Sequence, residues 1–244
     1  MAHKVAEEWG IEVGRPFALS RYSYVAPVSD DAVLKVTSPL DDESDEEPDA
    51  LALWNGDGAV RLLRTDRERR ALLIERARPG DDISRLPDGE ATAIAVGVGR
   101  RLWRPAREPF RWIGDHVPRW LAQADRATNP AHELIPLARR IYASLDVGRS
   151  TLVHGDFHHH NILDAGGRHV AIDPKPMVGE PEFDVPPFLW NPMAQRMTLD
   201  LAQRRLTAFT AAGLDQARMR AWAVVRGAYL SVDHSDVEVL RALV

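Results

Sequence analysis

The sequence predicts an α+β fold in two lobes, a small antiparallel-sheet N-lobe followed by a larger, mainly helical C-lobe. Three observations lead there. Short β-branched and apolar runs crowd the stretch before residue 78, Pro79-Gly80 interrupts them, and beyond it apolar residues recur at helical spacing. The expected division is 1–78 and 79–244, and 244 residues are ample to bury a core on that plan.

The elements follow in order. Residues 16–28, rich in Tyr, Ser and Val, and 32–36 flank Ser29-Asp30-Asp31 and read as an antiparallel hairpin. The acidic run 41–49 reads as a solvated loop leading into a helix over 48–54. Proline and acidic residues sit at its start, where the missing N–H and the helix dipole favour them. Asn55-Gly56-Asp57-Gly58 ends that helix, and two more strands are expected at 59–63 and 71–75. Helices are expected at 89–103, 110–124 and 131–145, strands within 151–173, and helices again from 200 to the end.

Composition narrows the class of protein. Hydrophobic residues make up 45% and charged residues 27%, the profile of an ordinary globular chain. No run approaches the ~18 apolar residues of a membrane span, and acids stand where a signal peptide would be apolar, so a cytoplasmic protein with no membrane partner is expected. The absence of cysteine excludes disulfides, thiol catalysis and thiolate metal sites. A net charge of −5 argues against a nucleic-acid partner and suits a cationic ligand. Only Lys4, Lys35 and Lys175 among the 31 basic residues are lysines, so a compact ammonium is kept at few places.

The chemistry concentrates in His154-Gly155-Asp156-Phe157-His158-His159-His160-Asn161. It contains His-x-Asp-x-x-x-x-Asn, the catalytic-loop pattern of phosphotransferases on the protein-kinase plan. Asp156 would accept or orient the proton of an attacking hydroxyl, and Asn161 would offer a hard neutral oxygen to Mg²⁺. Gly166-Gly167 between two apolar runs signals a hairpin that carries Asp173 back beside Asn161, so the two make a plausible metal pair. Lys35, at the end of an apolar strand, would reach the phosphates of ATP as a point charge, held by Glu47 or by its neighbours Glu46 and Glu43. Residues 72–77 read as a strand entering a connector, whose backbone at Glu75 and Ala77 would pair with adenine.

These segments, with Ala171-Ile172-Asp173-Pro174-Lys175-Pro176, 178–184 and Leu189-Trp190-Asn191-Pro192, resemble the aminoglycoside/hydroxyurea antibiotic-resistance kinases, the group containing streptomycin 6-kinase. Glu8-Trp9-Gly10, 58–63 and 73–76 match that group too, so the resemblance spans nearly the whole chain. It implies a protein-kinase-like fold and transfer of the ATP γ-phosphate to a hydroxyl of a small molecule. By position it implies Asp156 as catalytic base, Asn161 and Asp173 as Mg²⁺ ligands and Lys35 as phosphate anchor. The loop expected over the phosphates, 20–24, has no glycine, leaving its backbone amides and the Ser20 and Ser23 hydroxyls to cradle them.

Other readings compete for some residues. His154 with His158 or His159 could hold zinc in a metal-dependent hydrolase, although no third ligand at a defined spacing is evident, and bracing the loop is the simpler role for His154. The glycine-free loop also admits a nucleotide-binding pseudokinase. Lys175 could touch phosphate or be a surface lysine. Glu180, Glu182 and Asp184 could face a cationic acceptor, or Asp184 could bind catalytic-loop amides while the other two are solvated. Asp233, with Asp236 and Glu238, could line the acceptor site. The acceptor could be an aminoglycoside, hydroxyurea or another hydroxylated metabolite. The tryptophans read as packing residues.

Overall fold

Alternating apolar side chains in the first third of the chain build a sheet, and a helix closes its back. The computed structural model describes residues 1–17, 23–41, 43–230 and 232–244. Helix α1 (Ala2–Trp9) ends at Gly10, whose left-handed φ of 66° terminates it. Strands β1 (Ser23–Pro27) and β2 (Ala32–Thr37) form the expected hairpin. Helix α2 (Glu47–Trp54) follows, then β3 (Leu62–Asp66) and β4 (Ala71–Glu75), giving an antiparallel sheet of order β1-β2-β4-β3. All of β2 is buried, because both of its faces and both of its edges are covered.

Two features depart from the sequence expectation. Helix α1 lies where no element was expected; its Val5 and Ala6 complete a small cluster with Leu34, Val36 and Ala71. The third strand begins at Leu62 and not at 59. Ala59 and Val60 are apolar for another reason: they cross to the C-lobe, where the Val60 amide donates to the Ala171 carbonyl (3.1 Å) and the Ala171 amide to that of Gly58 (2.8 Å).

The C-lobe comprises α3 (Asp88–Leu102), the short β5 (Arg104–Pro105), α4 (Ile113–Arg126), α5 (Ile135–Ser144), β6 (Thr151–Val153), β7 (Ile162–Asp164), β8 (His169–Ala171) and β9 (Met177–Gly179). It closes with α6 (Val185–Trp190), α7 (Leu199–Ala211), α8 (Gln216–Tyr229) and α9 (His234–Ala242). Helix α8 is its axis: Trp222 to Ala228 are all buried, enclosed by α4, α5, α6, α7 and α9. Gly227 lets α9 approach, since a Cβ there would lie 2.3 Å from Leu240 Cδ1. Trp222, Phe183, Phe188 and Phe209 are fully buried, each contributing about 2–3 kcal/mol relative to exposure. β7 and β8 form the expected hairpin around Gly166 and Gly167, both at positive φ (69° and 90°). No helix among the described residues is long and apolar enough to cross a membrane.

Candidate active site

Strand β2 delivers one half of the site. Lys35 stands opposite Val25 and Leu72, and its ammonium lies 2.7 and 2.6 Å from the two Glu47 carboxylate oxygens. The same nitrogen lies 2.6 Å from Asp173 Oδ1, across 138 positions of chain. Burial alone would depress the lysine, but Glu47 and Asp173 together hold it above its ordinary range. Glu47 is pushed up, because burial outweighs the help it receives from Lys35. Of the acidic residues expected near Lys35, Glu47 is the one that reaches it; Glu46 pairs with Arg111 at 2.9 Å.

The other half comes from the loop after β6. Gly155 adopts φ 83°, and a Cβ there would meet the Lys175 carbonyl oxygen at 2.0 Å, so only glycine fits. The loop is fixed on several sides. His154 is fully buried, which pushes its imidazole down and keeps it neutral; its Nε2 donates to the Ile172 carbonyl (3.0 Å) and its Nδ1 accepts the Asp156 amide (3.3 Å). Arg226 donates to the carbonyls of Gly155 and Phe183, each at 2.7 Å. Asp156 itself keeps a partly exposed carboxylate. Burial opposes its ionisation, yet the neighbouring His158, 3.5 Å away, holds it far below the usual carboxylate range. The Asn161 side-chain amide donates to the Asp156 carbonyl (2.9 Å) and to its Oδ2 (3.2 Å).

The β7–β8 hairpin then returns the chain, the Ile172 amide donating to the Asn161 carbonyl at 3.0 Å, which sets Asp173 beside Asn161. Asp173 has φ 54°, a left-handed backbone uncommon outside glycine. Burial raises its carboxyl, but Lys35 outweighs that and keeps it ionised. Because the Asn161 nitrogen is engaged by Asp156, its oxygen is the group left for a cation. An amide oxygen next to an ionised carboxylate is a hard-oxygen donor set that fits Mg²⁺.

The histidine run does not form a zinc site. His159 stacks on Phe188 at 3.9 Å, burial pushing it down to about 3, while His160 turns to Asp82 at 2.8 Å. Among the described residues no cluster of three or more His, Cys, Asp or Glu is arranged to hold a metal.

The structure places the remaining expected residues, and some of those expectations need correction. Asp184 is fully buried and accepts from the amides of His154 (2.7 Å) and Gly155 (2.8 Å) and from the Trp103 indole (2.9 Å), so it faces no acceptor. Glu180 is also internal, binding Arg218 (2.9 and 2.5 Å), the Trp222 indole (2.5 Å) and the Gly148 amide (3.2 Å). Glu182 accepts the Asp215 amide at 3.0 Å, ahead of α8. Asp233 lies exposed at the start of α9, with Asp236 half-buried one turn on. The Glu75 carboxylate binds Arg168 and the Arg61 amide (3.1 Å), and the Glu75 amide is donated to the Arg61 carbonyl (2.8 Å), while Ala77 packs against the core. Ser20 lies outside the described residues, as do 21–22; Ser23 opens β1 with its hydroxyl 3.3 Å from that of Thr37. Lys175 is not a surface lysine: it reaches Asp41 (2.8 Å) and Ser44 (3.0 Å). Sequence reasoning missed Asp41, Ser44, Trp103 and Arg226, whose partners are distant in the chain and carry no local pattern.

Residues 13–237 match the family model described as aminoglycoside/hydroxyurea antibiotic resistance kinase. The chain is 34% identical to a hydroxyurea phosphotransferase of Kitasatospora aureofaciens, over 90% of this chain and 68% of the relative. It is 30% identical to a streptomycin 6-kinase of Streptomyces glaucescens, over 91% and 78%. Among solved structures, a thermostable aminoglycoside phosphotransferase, APH(4)-Ia, in ternary complex with ADP and hygromycin B superposes with a TM-score of 0.66 at 18% identity, covering 100% of this chain and 97% of that one.

Proposed function

Because the chain belongs to the aminoglycoside/hydroxyurea antibiotic resistance kinase family, we propose that it transfers the γ-phosphate of ATP to a hydroxyl of an aminoglycoside such as streptomycin. The nucleotide would lie between the lobes, 1–78 and 79–244, with the backbone at Glu75 and Ala77 against adenine. One observation carries this reading: Lys35 of the sheet meets Asp173 at 2.6 Å, beside the loop after β6 that presents Asp156 and Asn161.

In this reaction the acceptor oxygen forms a bond to the γ-phosphorus while the bond from that phosphorus to the ADP oxygen breaks. The hydroxyl proton passes to Asp156. A carboxylate held so far down is a weak base, which suits a loose transition state where orienting the hydroxyl counts more than removing its proton early. Lys35 places a permanent positive charge at the phosphates, and Ser20 and Ser23 lie on the segment that would cover them. Asn161 and Asp173 would hold Mg²⁺, which when bound neutralises phosphate charge. Asp233, exposed at the start of α9, would supply negative charge for a cationic acceptor, with Asp236 one turn on. Hydroxyurea is the second reading, favoured by the 34% identity to a hydroxyurea phosphotransferase.

The test is ATP consumption by the purified protein with streptomycin, other aminoglycosides and hydroxyurea, the product identified by phosphorus NMR. Phosphorylated streptomycin, absent with Asp156→Asn, is the expected result. Tight Mg-ATP binding with no phosphorylated product from any acceptor would overturn the reading in favour of a pseudokinase.

A further inference from the structure

Beyond Lys35, the chain has one more lysine between the lobes, and no step of the proposed reaction uses it. Lys175 sits between Pro174 and Pro176, which restrict its backbone. Its amide donates to the His154 carbonyl at 2.7 Å, and its own carbonyl packs over Gly155. Its backbone is therefore part of the catalytic-loop floor. Its side chain leaves that floor for the N-lobe: Nζ lies 2.8 Å from Asp41 Oδ2 and 3.0 Å from Ser44 Oγ. Ser44 donates to the same Asp41 oxygen at 3.0 Å, and both residues are buried, at 6% and 7% exposure. The Ser44 carbonyl in turn accepts the amide of Glu47 at 3.2 Å. A second cation acts on the same stretch, Arg111 binding Glu46 (2.9 Å) and the Glu43 carbonyl (3.2 Å).

We infer that Lys175 is a positioning residue: through Asp41 and Ser44 it latches the start of α2 onto the C-lobe at the height where Glu47 reaches Lys35. A compact ammonium suits the place, because two acceptors converge on one point and a planar guanidinium would need them side by side. The far end of α2 is anchored by buried Ala50, Leu51 and Trp54, whose indole donates to the Leu102 carbonyl (2.8 Å), but its first turn has no side-chain cap, so its start relies on contacts outside the helix. Without the latch, Glu47 loses its register on Lys35, and Lys35 falls toward Asp173 alone. The kinetic consequence rests on the kinase reading; the positional one does not.

The full-length protein is titrated calorimetrically with Mg-ATP, and amide exchange is followed over 43–54 without ligand. Lys175→Met is expected to weaken Mg-ATP about tenfold, raising its KM alike while kcat stays within about threefold, and to speed exchange over 43–54. Asp41→Asn should give the same shift and the double variant no more, as members of one contact are non-additive. Lys175→Asp with Asp41→Lys should recover at least half the loss. Ser44→Ala, the mildest change, should cost about threefold and keeps the test available if a charge variant fails to fold. Wild-type affinity and exchange in Asp41→Asn, with Lys175→Met still impaired, would overturn the latch and make Lys175 a direct phosphate contact. If the wild type fails to bind Mg-ATP, the kinase reading falls, and exchange in the variants still decides the latch.

Discussion

Asn161 donates its side-chain amide to both the main-chain carbonyl and the carboxylate of Asp156, at 2.9 and 3.2 Å, so one residue sets the aim of the other. Its nitrogen is thereby committed to Asp156, which leaves its oxygen as the group for a cation. Asn161→Ala should lower kcat on the order of 100-fold, through a misplaced Asp156 and a missing cation donor. Asn161→Asp keeps an oxygen ligand but sets a second carboxylate against Asp156, raising its pKa. Steady-state kinetics against Mg²⁺ concentration separate the two: excess Mg²⁺ should rescue the aspartate variant in part and the alanine variant hardly at all.

Asp184 accepts three hydrogen bonds in a site with no solvent access, two from the catalytic loop itself. Asp184→Ala strands those donors at about 1–3 kcal/mol each before relaxation, so a loss on the order of 3–5 kcal/mol is expected. Trp103→Phe removes one donor and keeps the ring against Phe157, and should cost about 1–2 kcal/mol. Urea unfolding measures both. An Asp184→Ala protein of unchanged stability, with only its acceptor KM raised, would return Asp184 to the acceptor site.

Glu180 gathers Arg218, Trp222 and the Gly148 amide around a carboxylate that is 10% exposed. Removing it leaves the Trp222 indole unpaired in the core, while Arg218, 30% exposed, can turn to water. The expected cost of Glu180→Ala is about 3 kcal/mol, at the low end of the range for a buried pair. For a chain of this size that lowers Tm by about 6–12 °C in a thermal scan. The KM for the acceptor should stay within about twofold, since the side chain points into the fold.

The contrast between these residues shows what the sequence could disclose. Asp156, Asn161 and Asp173 were legible because one loop and one hairpin set their separation, and the spacing follows from the turn. Lys35 and Glu47 were legible because a lysine inside an apolar strand has few roles. Asp184 was left between two roles, and Glu180 was not placed, for a physical reason: a carboxylate that binds backbone amides or a distant indole looks, in sequence, like one that faces a ligand. Lys175 was left open because its partners lie 131 and 134 positions away. The displaced β3 has a similar cause, since Ala59 and Val60 are apolar for the hairpin of the other lobe and not for their own sheet.

Glu75, where the sheet passes into the connector, ties that segment to the β7–β8 hairpin through Arg168 and to the Arg61 amide. Partial burial raises its carboxyl, but these partners outweigh burial and hold it below its ordinary value. A depressed pKa means the folded state binds its proton later than the unfolded chain does. The contribution is therefore complete above the unfolded value of about 4.3 and is lost as pH falls through the lower folded value. The Glu75 side chain is 25% exposed and that of its partner Arg168 36%, so the contribution should be about 1 kcal/mol or less. Glu75→Gln should lower stability slightly at pH 7 and flatten the fall of stability below about pH 4. Urea midpoints for both proteins between pH 7 and pH 3 check this; parallel curves over that range would show that the Arg168 pair carries no weight in the fold.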